Sequence, residues 1–386
     1  MVDNFGFSVI HFSTSLKGGA GVACLNLHSQ LRGLGVESRI LTLDRITPSD
    51  SVHPIRRRLS LKILGAIFSK LNQLVNKDSY FSIFSTNSIQ NSLTKELGDA
   101  KNVILHIHNW FNLVDFSMVE ELASHGFKMV FTMHDERIFT GGCHYALSCR
   151  GYRDSCRRCP RVPLILIPSI RKNAARQKEF FSNYRDQITL IAPSLWIMDE
   201  AWSSDLTSDL NISHIRNSIE VLPTDLPRNS LDSKTITLGV ASMEPFSYVK
   251  GGDFVREIQE LVKSDDRFDL IFLKDSIIEN RSTIHFWELI DFLIVPSIQD
   301  NSPNVIHESK AYGIPVVGSN VGGIPEILNS DIDIVIEDSE TAPNLLERIY
   351  EHNHTKKKKP YFDYQFLRTK EKALGQVIEL YASLAK

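Results

Sequence analysis

The chain has 386 residues, 42% of them hydrophobic and 23% charged, with a formal net charge of −3. That length exceeds one ordinary domain and suits two of roughly 150–200 residues each. The apolar share excludes a disordered chain, and the near-neutral balance excludes a global basic field, so no nucleic-acid partner is expected.

The first residues, MVDNFGFSVIHFST, lack a basic stretch followed by a long apolar run, and no window reaches the ~18 uninterrupted apolar residues of a spanning helix. The expected compartment is the cytoplasm. FSVIHFS (7–13) reads as a strand, Gly18-Gly19-Ala20-Gly21 as a loop, VACLNLHSQLRGLG (22–35) as a helix and SRILTL (38–43) as a second strand. This unit begins a parallel sheet with crossover helices, and Cys24 is a core thiol in its helix. IRRRLSLKILGAIFSKLNQLVNK (55–77) starts basic and repeats apolar residues at three-to-four spacing. It fits a helix packed on its own domain, or a peripheral contact with the anionic inner face of the cytoplasmic membrane.

Further strands are expected at NVILHIH (102–108), FKMVFTMH (127–134) and ITLIAPS (188–194). Cys143, Cys149, Cys156 and Cys159 follow one another at spacings of five, six and two intervening residues. Four thiolates in so short a loop can close a tetrahedral structural zinc site; free thiols and disulfides are the alternatives. The stretch 219–234 carries prolines and polar residues and suits a linker. A second alternating series then runs through TITLGVAS (235–242), a helix near 251–262, FDLIFLK (268–274), DFLIVPS (291–297) and IPVVGS (314–319). KKKK (356–359) reads as a solvated loop, and 366–386 as an amphipathic helix. The expected domains are therefore 1–222, 223–365 and a final helix, 366–386, returning to the first domain.

The chemistry concentrates in 291–328, where a strand ends at Pro296-Ser297, a polar loop carries Asp300, Asn301 and Ser302, and a helix is expected with Ser302 as cap and Pro303 in its first turn. A Gly322-Gly323 loop is expected to open another helix. Loops and helix N-termini at the carboxyl edge of a parallel sheet suit a diphosphate. Asp300 and Glu308, eight positions apart, can accept hydrogen bonds from sugar hydroxyls.

This stretch resembles the donor signature of glycosyltransferase family 4, the large retaining GT-B family, with D-x7-E, AYGIPVV and GGIPE standing where that family has E-x7-E, A-x-G-x-P-V-V and GG-x-x-E. Lys250-Gly251 resembles the family's K-G element, although Ser242-Met243-Glu244 stands where many members place an arginine. The glycine-rich start of LKGGAGVACLNLHSQLRGLGVESRIL (16–41) is similar to the family's first loop. FTMHDERIFTGGCHYALSCRGYRDSCRRCP (131–160) and ILHIHNW (104–110) resemble a subset active in bacterial polysaccharide synthesis.

The resemblance implies an α/β, GT-B fold: two doubly wound Rossmann-like domains with parallel sheets facing a central cleft. It implies a nucleotide-diphosphate sugar donor and a glycan or lipid-linked acceptor. By it, Glu308 meets the ribose, Asp300 the donor sugar and Lys250 the diphosphate. Gly18, Gly19, Gly251, Asn301, Ser302, Pro303 and Asn304 border the donor, while His134 and Asp135 lie in the catalytic region. Retention of this kind lets the leaving diphosphate take the acceptor proton, so no cofactor is required for catalysis. Two other readings remain at this point: a GT-B nucleotide-sugar epimerase or phosphorylase, and a non-catalytic scaffold that binds nucleotide-sugars.

Overall fold

The computed structural model describes residues 5–45, 47, 49–55, 63, 66–67, 70–71, 97, 100–217, 235–278, 283–355 and 364–385, with backbone alone for 364–370. Most of 55–77, the whole linker stretch 219–234 and the lysine run 356–359 lie outside the described residues. The chain divides into two compact units, Met1–Ser218 together with Glu371–Lys386, and Ile219–Lys370.

Unit 1 is built on a seven-stranded sheet in the order β3-β2-β1-β4-β5-β6-β7. These strands are Val52–Pro54, Glu37–Thr42, Ser8–Ser13, Val103–Asn109, Lys128–Thr132, Ile188–Ala192 and Asn211–His214. Every pairing is parallel. Alternate residues serve opposite faces, as a pleated strand requires. Ile10, Phe12, Leu105, Ile107 and Phe131 join one cluster with Met118, Phe180 and Ile197, from helices α2 (Phe116–Ser124), α3 (Ile167–Asn183) and α4 (Leu195–Trp202). Val9, Ile104, Val130 and Ile191 join the other, with Leu27 and Leu31 of helix α1 (Gly18–Gly33) and with Ala373, Val377 and Tyr381 of the final helix, Tyr364–Leu384. Each buried large side chain contributes about 1.5–3 kcal/mol, so the final helix belongs energetically to unit 1.

The glycine-rich segment after β1 is not a loop: α1 starts at Gly18, and Gly18 and Gly19 form its exposed first turn. The short edge strands β3 and β7 carried too few residues for their alternation to register in the sequence.

Unit 2 has a five-stranded sheet, β12-β11-β10-β8-β9, again wholly parallel. The strands are Ile334–Ile336, Val316–Ser319, Phe292–Val295, Ile236–Val240 and Phe268–Phe272. One face packs on helices α5 (Gly252–Val262) and α9 (Ala342–Thr355); the other holds Leu293, Val295 and Val316 against α7 (Thr283–Leu289) and α8 (Asn304–Ala311), with α6 (Leu273–Ile278) between β9 and α7. Among the described residues no helix is long and apolar enough to cross a membrane.

Candidate functional site

In unit 2 the strand order reverses between β8 and β10, and open α/β sheets bind ligands at the carboxyl ends of strands flanking such a reversal. The loop after β8 ends in a single turn, Tyr248–Lys250, closed by Gly251 at φ 72°. A Cβ on Gly251 would stand 1.9 Å from the Pro296 carbonyl oxygen, so only glycine lets the two loops touch. The Ile298 amide donates to the Val249 carbonyl at 2.8 Å and stitches them together. On the other side Gly322, at φ 59°, would place a Cβ 1.9 Å from the Asp300 carbonyl, and the Gly323 amide donates to that oxygen at 3.0 Å.

This backbone frame carries the side chains. The Lys250 ammonium donates to Asp300 Oδ2 at 2.5 Å, while Asp300 is only 8% exposed. Oδ1 of Asp300 has no partner among the described residues. Asn301 and Asn304 are buried, and Ser302 Oγ and His307 Nε2 share a hydrogen bond of 3.2 Å. Because His307 holds that hydroxyl, Ser302 does not cap the helix; Pro303 is the cap residue and Asn304 the first helical one. No side-chain oxygen competes for the first-turn amides of α5 or α8, the condition for anion binding at a helix N-terminus. The helix expected after Gly322-Gly323 does not form. Residues 321–327 make turns instead, with Gly323 tied across to Asp300.

Glu308 sits two-thirds of the way along α8. Burial alone pushes its carboxyl above the ordinary value, and no side chain or amide satisfies it among the described residues. A half-buried carboxylate without a donor is an incomplete group that a ligand hydroxyl can complete.

Unit 1 reverses its strand order between β1 and β4 and lines that place with histidines. His11 and His106 are register partners on neighbouring strands, and His108 follows on the same face. The ring nitrogens form a chain: His134 Nε2 with His108 Nδ1 at 3.1 Å, His108 Nε2 with His11 Nδ1 at 3.1 Å, and His11 Nε2 with Ser38 Oγ at 3.1 Å. Ser38 Oγ then meets His28 Nδ1 at 2.7 Å, and His28 Nε2 meets Ser51 Oγ at 3.2 Å. His106 lies beside this chain and bonds the Tyr381 hydroxyl and Thr132 Oγ1.

Burial holds these imidazoles neutral. It lowers His11 to about 3, with a further push from His28, and His28 to about 4, with one from Arg32. His106 and His108 are held well below the ordinary value, by burial first and then by their neighbouring histidines. His134 falls to about 4 through burial, which outweighs the opposing pull of Asp135. Among the described residues, His11, His106 and His108 are the group of three whose possible ligand atoms all lie within 4.8 Å of one another. Their nitrogens already hold hydrogen bonds, so the group is a satisfied network and not an open set of ligands.

Asp135 follows His134 and caps the turn Glu136–Phe139. Burial would raise its carboxyl, but the Arg137 guanidinium, bonded to both its oxygens, pulls it below the ordinary value. Arg137 also donates to Asn109 Oδ1 at 3.1 Å. The sequence singles out His134 and Asp135 here, whereas His11, His28, His106, His108, Asn109 and Arg137, which the structure gathers beside them, are not among the residues it names. The signal for three of them was present: alternate histidines in HIH (106–108) beside a histidine in the first strand.

The four clustered cysteines lie in one loop beside this edge. The Gly141 amide donates to Cys156 Sγ at 3.3 Å, and the Gly151 amide to Cys149 Sγ at 3.4 Å. Burial raises the thiols of Cys143, Cys156 and Cys159 above the ordinary value. Among the described residues their sulfurs form no group of three or more with all members within 4.8 Å of one another.

Comparison with known proteins adds to this geometry. A family model described as Glycosyl transferases group 1 matches residues 247–352, which contain Lys250, Asp300 and Glu308. The chain is 23% identical over 361 residues to a protein described as a colanic acid biosynthesis glycosyl transferase, WcaC of Escherichia coli (strain K12), covering 83% of this chain and 85% of that one. Among solved structures, TarM aligns with a TM-score of 0.59 at 12% identity, over 98% of this chain and 99% of its own. Anabaena Alr3699/HepE in complex with UDP aligns with a TM-score of 0.55 at 12% identity, over 98% and 99%. The fold is thus GT-B, and the chain is a glycosyltransferase. Its relatives by sequence include a protein of polysaccharide biosynthesis.

Proposed function

We propose that the protein transfers a sugar, with retention of configuration, from a nucleoside-diphosphate sugar to a glycan or lipid-linked acceptor of a bacterial surface polysaccharide. The observation that carries the donor half is Glu308: a half-buried carboxylate with no donor among the described residues, on the helix reached from the Lys250–Asp300 loop. Two ribose hydroxyls supply the missing donors. Lys250 and the N-termini of α5 and α8 stabilise the diphosphate as it leaves, where the family resemblance also puts it. Asp300 tethers Lys250 through one oxygen and offers the other to a hydroxyl of the donor sugar.

The charge that develops on the leaving diphosphate lets it accept the acceptor's proton, and cations and helix dipoles stand in for a metal. In unit 1 His134 has its Nε2 taken by His108, which leaves Nδ1 to hydrogen-bond a sugar. Asp135, neutralised by Arg137, stiffens that strand end and is a positioning residue in this reading. Gly18 and Gly19 put an uncapped helix N-terminus at the same sheet edge.

The crystal complexes of HepE contain UDP and UDP-glucose, and this supports trying UDP first among donors. Glu308→Ala should weaken binding of the nucleoside diphosphate by about 10- to 100-fold, the value of one or two hydrogen bonds to a charged group. Calorimetric titration with UDP, GDP and ADP reads this, and an unchanged affinity rejects the ribose assignment.

Two further parts of the reading stand apart from the chemistry. The cysteine loop is the candidate for a structural zinc, which requires its sulfurs to draw closer than they lie; one zinc per chain in reduced protein supports it, and none removes it. Within 55–77, Ile63, Ile67 and Leu71 are helical, exposed and four residues apart, which supports peripheral contact with the inner face of the cytoplasmic membrane.

A further inference from the structure

Unit 1 contains a second pocket, of about 220 Å³, that the donor chemistry does not use. Its walls include Trp110, Phe111, Phe116, Arg137, Arg176 and Gln177. Trp110 and Arg137 also line the small cavity beside His134, so the two spaces share a partition. We propose that this pocket binds one uncharged sugar ring of the acceptor glycan. The proposal deepens the glycosyl-transfer reading and rests on it for the word acceptor, though not for the binding itself.

Three observations select that ligand. Gln177 is 5% exposed, and its Oε1 is buried without a hydrogen-bond partner among the described residues, while its Nε2 donates to the Arg137 carbonyl at 3.4 Å. A buried carbonyl oxygen with no donor is costly, and a ligand hydroxyl is the group that completes it. Trp110, Phe111 and Phe116 give the same pocket an aromatic wall, suited to the C–H face of a pyranose. Finally, the cations are already balanced. Arg137 is held by Asp135, and Arg176 donates to Ser117 Oγ at 2.6 Å and lies 3.5 Å from Glu120. Asp115, which also lines the pocket, caps α2 through the Met118 amide. A phosphate or carboxylate therefore finds no uncompensated charge here, whereas hydroxyls find both acceptors and donors. The volume is below that of a drug-sized site and fits a single ring.

The test uses the full chain and three methyl pyranosides, of glucose, galactose and mannose, observed by saturation-transfer NMR in the presence of saturating UDP. At least one should show saturation transfer that UDP does not displace. Gln177→Leu should weaken it tenfold or more with an unchanged or higher melting temperature, because the orphan oxygen is gone. Trp110→Phe should weaken it less, and Trp110→Ala should abolish it. The proposal falls if no methyl pyranoside binds in the presence of UDP, or if Gln177→Leu leaves the signal intact. Loss of UDP binding in Glu308→Ala bears on the donor reading alone, so the two fail separately.

Discussion

The two units repeat one architecture, a doubly wound parallel sheet with a reversal of strand order, yet they furnish the same edge with opposite chemistry. Unit 2 places a lysine, an aspartate and a glutamate there, held by loops that touch at backbone through Gly251 and Gly322. Unit 1 places neutral imidazoles there, linked from His28 through the Ser38 hydroxyl to His11, His108 and His134. The contrast teaches that the fold fixes where a ligand binds, while side chains decide whether the place carries charge. In the function proposed above, the diphosphate takes the charged edge and a sugar hydroxyl the neutral one.

The strongest way to break this comparison is acid. His11, His28, His106, His108 and His134 each have a folded-state pKa below the unfolded value near 6.5, so the folded state declines protons that the unfolded state accepts. Stability is therefore full above about pH 6.5 and falls as the pH drops towards about 4 for His134 and about 3 for His11. Each such group costs about 1.4 kcal/mol per pH unit in that window, and several act together. Hydrogen exchange at pH 7 and pH 5 should show protection lost first in β1, β4 and β5, with β8 and β10 retained; equal loss in both sheets would refute the contrast.

Next in size is Gly251→Ala. A methyl group 1.9 Å from the Pro296 oxygen at φ 72° should cost about 3 kcal/mol or more, confined to unit 2. Urea unfolding followed by fluorescence of Trp287, the tryptophan described in that unit, reads it. Lys250→Met should lower turnover about 100-fold, as loss of one transition-state donor does. Adding Asp300→Asn sharpens the point: recovery of activity in the double variant would mean that Lys250 serves only to pair Asp300. The smallest effect is expected for Tyr381→Phe, which leaves His106 Nδ1 without its bond and should cost about 1–2 kcal/mol in unit 1 alone. A fall in UDP affinity in that variant would couple the two edges.

Strands with four or more apolar residues were legible in the sequence, as were the helix after Lys250-Gly251 and the acids spaced eight apart. Three features were not. The helix start at Gly18 was obscured because glycine reads as a loop former, whereas here it opens the first turn. The turn after Gly322 was misread as a helix because the local signal contains no record of the Asp300 carbonyl that captures Gly323. The histidine chain escaped because bonded members of it lie up to 97 positions apart, and only strand register brings His11 beside His108. Gln177 was equally silent: one polar residue on an amphipathic helix, given meaning only by the missing partner.

The return of the last helix to unit 1 has a consequence for biogenesis. Ala373, Val377 and Tyr381 complete a sheet face whose strands are made well before them, from 182 residues earlier at Ile191 to 364 at Val9, counted to Ala373. On a ribosome the intervening unit, contiguous in the chain, can finish its core while the first unit still exposes Val9, Ile104 and Val130. The order of synthesis and the order of completion are then reversed, and a nascent chain stalled before residue 371 presents an unfinished apolar sheet to chaperones.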